Sequence, residues 1–177
     1  RQRQMCIRDR MKGHRFFLRA MAQLRAEGID IHYRIAGEGP ERAAIEAEIT
    51  TLGLQDHVTM LGSIDETAVL EVLQSSDALA LTSIQKGEAA PVAIMEAMSC
   101  GLPPVCSIIG GTRDMITDGQ DGFLVPQEDV DAIAEATRTL APDPARRAEM
   151  GQAARATAER LFDHTTNALA LYARIKG

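Results

Sequence analysis

Short apolar runs alternate with helical stripes along almost the whole chain, and that alternation leaves few folds open. Phe17, Ala20, Met21 and Leu24 recur at i, i+3, i+4 and i+7, one face of a helix. Gly28 stops that helix, and "IDIHYRIAG" (29–37) follows as a strand of β-branched and aromatic residues. Pro40 opens a second helix whose Ile45, Ile49 and Leu52 face one way up to Gly53. "HVTMLG" (57–62) is the second strand, and Ser63 with Glu66 suits a capping box on a helix that turns Val69, Leu70 and Leu73 inward. "DALALT" (77–82), "PPVCS" (103–107) and "GFLVP" (122–126) are three further strands, the first apolar enough for a strand covered on both faces. Asp129 caps a helix that aligns Val130, Ile133, Thr137 and Leu140. "APDPARR" (141–147) turns into another helix, and Phe162-Asp163 breaks into a last one.

Strands separated by helices of ten or more residues predict an α/β fold, a Rossmann-like doubly wound parallel sheet with ligands at the carboxyl ends of its strands. The helix that starts near residue 14 needs a strand before it, but "RQRQMCIRDR" stands there, with four Arg, one Asp and neither strand nor helix periodicity. Residues 1–10 resemble translated sequencing-adapter read-through rather than part of a fold; a basic arm for anionic lipid or nucleic acid is the competing reading. The expected folded domain is therefore 11–177, with its first strand missing or replaced.

The 177 residues carry a net charge of −6, and residues 11–177 carry −9, which argues against a nucleic-acid backbone as main partner. Aromatic residues make up only 3%, so Ala, Leu and Ile must fill the core. No apolar run reaches the ~18 residues a bilayer span needs, and no signal peptide is visible, so a cytoplasmic protein is expected. Cys6, Cys100 and Cys106, an odd number without CxxC spacing, read as reduced thiols. His14, His32, His57 and His164 are scattered without ligand spacing, so no metal is expected, and Asp163-His164 lacks a Ser nucleophile for a triad.

"AGEGPER" (36–42) follows a strand and opens a helix, as a dinucleotide fingerprint would. Gly37 and Gly39 satisfy its first two glycines, but Arg42 stands where the third must allow close helix–sheet packing, so a tight strand-to-helix turn is the better account. "GEAAPVAIMEAMSCGLPPVCS" (87–107) is more pointed. Pro91 suits the first turn of a helix that runs through Val92, Met95 and Met98 to Gly101, with Glu88 in the loop before it and Glu96 in its second turn. The first-turn amides of Val92 and Ala93 lack intrahelical acceptors and favour an anion, while the two acids accept hydrogen bonds from hydroxyls, as a sugar nucleotide requires. Spacing alone serves equally well for a Glu88 that favours the helix start and a Glu96 on a solvated face.

These stretches together resemble the retaining nucleotide-sugar glycosyltransferases of the two-Rossmann-domain (GT-B) type, the group-1 or family-4 set. The acidic segment matches their E-x7-E signature, E-G-(F/I)-P-x-x-x-x-E-A-M-A-x-G-x-P-V. "MKGH" (11–14) resembles the family's "KKGH", "AGEGPER" its "GDGPxR" and "VTMLGSI" (58–64) its "VxFLGxV". Gly110-Gly111 and "DGFLVP" (121–126) follow in family order. The likeness spans about residues 11–175, the family's C-terminal, donor-binding domain, and implies a role for each matching residue. Glu88 would contact the donor sugar and Glu96 the ribose hydroxyls. The backbone from Gly87 and Ala89 through Ala90, Pro91 and Val92 would face sugar and diphosphate. Lys12 would neutralise the departing diphosphate, Gly37 would give close backbone approach, and Leu61, Gly62, Ser63 and Ile64 would border the base. A nucleotide-diphosphate sugar is then the substrate, with cationic stabilisation of the leaving group in place of a metal or cofactor.

Two departures stand out. Ala89-Ala90 replaces Gly-Phe or Gly-Ile, and the family's diphosphate-binding Arg, about five residues before the Lys, falls in the adapter-like segment near Ile7 and Arg8. The resemblance implies a fragment lacking its N-terminal acceptor domain and inactive alone, from an enzyme of polysaccharide or glycoconjugate assembly that works in the cytoplasm or at the inner face of the membrane. Its acceptor would be a saccharide, a lipid-linked glycan or a small molecule. The competing reading is a non-catalytic nucleotide-sugar-binding module, half of a split enzyme.

Overall fold

The computed structural model describes residues 12–84 and 90–176. The adapter-like segment, the place of the expected first strand, and Gly87, Glu88 and Ala89 lie outside the described residues. Elements follow in the expected order: α1 (His14–Ala26), β1 (Tyr33–Ala36), α2 (Arg42–Thr51), β2 (Val58–Gly62), α3 (Glu66–Gln74), β3 (Leu79–Leu81) and α4 (Val92–Ser99). After them come β4 (Pro104–Ser107), α5 (Thr112–Met115), β5 (Phe123–Val125), α6 (Val130–Leu140), α7 (Pro144–Leu161) and α8 (His164–Lys176). The strands are shorter than the apolar runs that signal them; β1 begins four residues later than "IDIHYRIAG", because Ile29 and Ile31 pack as chain leading into the sheet. The four-residue α5 has no periodic stripe to announce it. It forms because Thr112 Oγ1 accepts from the Ile109 N–H (3.0 Å) and donates to the Ser107 carbonyl (3.2 Å), closing the Gly110-Gly111 turn on itself.

Among the described residues all strand pairs are parallel, in two groups: β1–β2, and β3–β4–β5. Side chains alternate across the second group as the period of two demands. Ala80, Val105 and Phe123 face the layer of α1 and α6, whereas Leu79, Leu81, Cys106 and Leu124 face α4 and α7. A third cluster joins Leu18 and Met21 of α1 to Ile35 of β1 and Ile45 and Ile49 of α2. Helices thus cover both faces, the doubly wound arrangement, but no described strand bridges β1 and β3.

Three local expectations need correction. Asp65, not Ser63, caps α3, its carboxylate accepting the Ala68 N–H at 2.9 Å, so the Ser63–Glu66 box does not form. Leu70 is 46% exposed, and α3 turns Val69, Val72 and Leu73 inward instead. On α4, Pro91 stands at the N-cap rather than inside the first turn, the buried stripe is Ile94, Ala97 and Met98, and Val92 is 51% exposed.

Close approach between α4 and α7 depends on glycine. Gly101, at φ 74°, ends α4 with its N–H on the Met98 carbonyl (2.9 Å), and Gly151 of α7 lies directly against it. A Cβ at 151 would stand 2.2 Å from the Gly101 oxygen. Nearby, buried Asp121 ties the turn before β5 to α7, accepting from the Thr117 N–H (2.7 Å) and the Thr157 hydroxyl (2.8 Å). Gly151→Ala should therefore cost about 1–3 kcal/mol, the range for overpacking. Gln152→Ala, one exposed position along the same helix, should change stability by less than about 0.5 kcal/mol. Urea unfolding of both variants checks the contrast.

Candidate functional site

The carboxyl ends of the strands gather most of the described candidate residues. β1 runs out into Gly37, at φ 121°, whose N–H donates to the Gly62 carbonyl at 2.7 Å. Gly62 is itself at φ 68°, and the β1–β2 register shifts between Ile35 and Ala36. This doubled left-handed turn brings two strand ends together in a way side-chain-bearing residues rarely adopt. Leu61 and Ile64 are half-buried beside it and Ser63 is exposed. Glu38, next along, is engaged by Arg42 at 2.6 Å, and Arg42 also reaches Glu46 at 2.8 Å.

Opposite this turn stands the start of α4. Pro91 is buried, with φ −66° and ψ 116°, and its carbonyl accepts the Ile94 N–H at 3.1 Å. The N–H groups of Val92 and Ala93 precede the first intrahelical bond and point out of the helix end. No acidic residue occupies this first turn. Lys12, Ile64, Pro91, Val92 and Ala93 line one cavity, so Lys12 and the positive end of the helix border the same space. Ala90 is exposed at its rim. Glu96, half-buried in the second turn of α4, does not line that cavity, and neither do Gly37, Leu61, Gly62 or Ser63.

His14 sits beneath this mouth. Its Nδ1 is 2.8 Å from the Tyr33 hydroxyl, and burial, helped by the Lys12 charge, lowers its pKa to about 4. Burial pushes the Tyr33 phenol up. Both are neutral at pH 7, which leaves Lys12 without a second cation from His14 beside it. At the start of α1, His14 is thus a packed, hydrogen-bonded residue. Burial also raises the Cys106 thiol to about 12, and Cys100 is raised, first by its partial burial; neither is a ready nucleophile.

Sequence reasoning passed over two hydroxyls. Ser83, just past β3, and Ser107, the last residue of β4, are buried, and their Oγ atoms have no hydrogen-bond partner among the described residues. Leaving a buried hydroxyl unpaired costs about 1–3 kcal/mol, so such groups call for an explanation. Both lie at the end of the sheet where α/β folds bind ligands. The signal was present, since two adjacent apolar strands each close on a serine, in "LALTS" and "PPVCS".

The shift of His14 has a thermodynamic consequence. Its pKa is about 4 folded and about 6.5 unfolded, so between those values the unfolded chain binds the extra proton. Stability should fall as pH drops from about 6.5 to about 4 and lose nothing further from this group below that. The loss should be no more than about 3 kcal/mol, and less in proportion to the ring's residual exposure. Comparing urea unfolding at pH 7 and pH 4.5 for wild type and His14→Gln checks it; the variant should show the smaller loss.

Comparison with known proteins agrees with this geometry. Residues 8–157 match the sequence model of the glycosyl transferases group 1. An alpha-D-kanosaminyltransferase of Streptomyces kanamyceticus is 31% identical over 141 residues, covering 80% of this chain and 36% of that enzyme. A GDP-mannose-dependent alpha-(1-6)-phosphatidylinositol monomannoside mannosyltransferase of Mycolicibacterium smegmatis is 32% identical over 149 residues, covering 81% of this chain and 39% of that enzyme. The crystal structure of Anabaena Alr3699/HepE in complex with UDP and glucose superposes with a TM-score of 0.84 at 25% identity, covering 97% of this chain and 47% of that one. The chain thus spans little more than a third of the length of those curated relatives. It belongs to the glycosyl transferases group 1 family, and what it carries is one Rossmann-like domain of a GT-B fold.

Proposed function

We propose that the chain is the donor-binding domain of a retaining glycosyltransferase and binds a nucleotide-diphosphate sugar at the carboxyl ends of its strands. The observation that carries this reading is that Lys12 and the amino end of α4 line one cavity, with no acid in the helix's first turn. Helix amides and an ammonium together suit a diphosphate. Support comes also from the UDP and glucose bound to the Anabaena protein and from the GDP-mannose dependence of the mycobacterial relative. Those two differ in base, so the domain's architecture accommodates a nucleoside diphosphate without fixing which.

In the complete enzyme, which adds an acceptor domain, the sugar passes to a saccharide, lipid-linked or small-molecule acceptor. Lys12 and the α4 terminus neutralise charge on the leaving diphosphate without a metal. Glu88, outside the described residues, faces the sugar, where a carboxylate favours the positive charge that develops as the diphosphate leaves. Glu96 accepts from the ribose hydroxyls, and Leu61 to Ile64 border the base beyond the Gly37–Gly62 turn.

Titration of this chain with UDP, GDP and ADP, and with the matching bare nucleosides, separates these roles. Lys12→Ala should weaken the diphosphate and leave the nucleoside unchanged. Glu96→Gln should weaken both by about 1.5–3 kcal/mol, the range for a hydrogen bond to a charged group. Absence of binding for all three diphosphates at millimolar concentration, or two variants that bind like wild type, would sink the reading.

Glu88 calls for kinetics in a full-length enzyme carrying this domain. Glu88→Gln should lower kcat while the inhibition constant of the nucleoside diphosphate stays nearly unchanged. The residue-1-to-177 chain by itself should transfer no sugar to any acceptor.

A further inference from the structure

The hydroxyls of Thr82, Ser83 and Ser107 are buried where β3 and β4 end. Ser83 and Ser107 have no hydrogen-bond partner among the described residues, whereas the Thr82 hydroxyl donates to the Gly13 carbonyl at 3.0 Å. That bond joins segments 69 residues apart and ends one residue after Lys12. Thr82 itself is 2% exposed and does not line the cavity that Lys12 shares with Pro91, Val92 and Ala93. Its hydroxyl acts on a ligand only through what it holds.

What it holds is a joint that is otherwise soft. Gly13, the residue before α1, stands at φ 65° and ψ 17°, in the left-handed region. Only glycine fits, because a Cβ there would stand 1.8 Å from the Thr82 carbonyl oxygen. Glycine is also the residue whose backbone rotates most freely, so the close approach to β3 puts a flexible link directly beside the Lys12 side chain. The Gly13 carbonyl is fixed from two sides. It accepts the Phe16 N–H at 2.9 Å, from within α1, and the Thr82 hydroxyl, from the end of β3. One residue further on, His14 Nδ1 lies 2.8 Å from the Tyr33 hydroxyl of β1. The start of α1 cannot turn without breaking one of these contacts. Threonine suits the task, since its branched Cβ restricts χ1 and keeps the hydroxyl aimed. Thr82 also begins the chain that leads from β3 to α4, so one side chain links Lys12 to the strand that delivers the other helix lining the cavity.

We propose that Thr82 is a positioning residue for donor binding, its hydroxyl holding the Gly13 peptide so that the Lys12 ammonium meets the diphosphate. This role rests on the donor-binding reading of the same site and assigns part of its affinity to a side chain that touches no ligand. Without the hydroxyl, Gly13 regains its freedom, and ordering Lys12 then offsets part of the binding energy.

The test titrates the 177-residue chain with UDP and GDP, and with uridine and guanosine. Thr82→Val, or Thr82→Ala where the former does not fold, should weaken the diphosphates about three- to tenfold, the net worth of one hydrogen bond, and leave the nucleosides unchanged. Thr82→Ser, which keeps the hydroxyl, should recover most of that loss. In a Lys12→Ala background the same Thr82 substitution should weaken UDP and GDP by less than about twofold, because the two residues act as one unit. Thr157→Val removes a different buried hydroxyl bond, the one to Asp121, and should leave diphosphate affinity unchanged. Thermal unfolding of each variant verifies a folded chain. Losses that add fully in the Lys12→Ala background, equal losses for the nucleosides, no recovery in Thr82→Ser, or the same loss in Thr157→Val would overturn the proposal. If Lys12→Ala weakens the diphosphates and Thr82→Val does not, the positioning role falls alone. If no diphosphate binds the wild-type chain, or Lys12→Ala binds like wild type, the donor-binding reading falls and the positioning role with it.

Discussion

Helix α1 buries side chains on two flanks at once, and the relation between the two strand groups depends on it. Phe16, Phe17, Ala20 and Leu24 enter the cluster shared with α6, β4 and β5, while Leu18 and Met21 enter the cluster shared with β1 and α2. Full burial of Leu18, Met21 and Leu24 stabilises the fold by about 1.5–3 kcal/mol each. No described strand pairs β1 with β3, so α1 supplies across the groups what a shared ladder supplies elsewhere in the sheet. Two polar ties assist it. Thr82 holds the start of α1 to the end of β3, and Arg34 of β1 reaches the Ser75 carbonyl (2.8 Å), the Val72 carbonyl (3.2 Å) and the Ser76 hydroxyl (2.6 Å) at the end of α3. That guanidinium satisfies carbonyls that a helix end leaves without partners.

The same helix sets the electrostatics of the mouth above it. Packing His14 against Tyr33 holds the imidazole neutral at pH 7, so the helix start contributes charge through Lys12 and not through the ring beside it. Across the cavity, the described first turn of α4 holds no acid. The exposed Val92 at that end is the apolar residue that a solvent-facing first turn would normally replace with a polar one. Together they make a surface that favours an anion over a cation, and the favour comes from the backbone and one side chain.

Much of this was legible in the sequence because the dominant signals are periodic. Ile45 and Ile49, Ile133 and Leu140, and the apolar cores of all five strands lie where their spacing places them. The helix ends marked by Gly28, Gly53 and Gly101 also hold, since a left-handed residue has few alternatives there. What escaped was settled by tertiary contact. Ser63 and Asp65 both suit a cap by type, and the path of the chain out of Gly62 decides between them. Leu70 matches the apolar stripe as well as Val72 does, but α3 is rotated so that its other flank faces inward. The short α5 depends on one threonine bonded across a turn, which no period can announce. At the mouth, the likeness named Lys12, Pro91 and Val92, which share one cavity, whereas Ser83 and Ser107 are signalled only as serines closing two apolar strands, and it is their burial without a partner among the described residues that sets them apart.

The joining of the strand groups and the anion-favouring mouth are not separate matters. Lys12, Pro91 and Val92 form the walls of the mouth at the carboxyl ends of the strands. Lys12 directly precedes Gly13, whose backbone is pressed against Thr82, so the position of the ammonium is tied to the end of β3 as well as to α1. In a doubly wound sheet the strands' carboxyl ends form the floor on which a ligand rests. Burial inside the sheet and charge at its edge are thus two consequences of one feature, a helix start held at the boundary between two parallel strand groups.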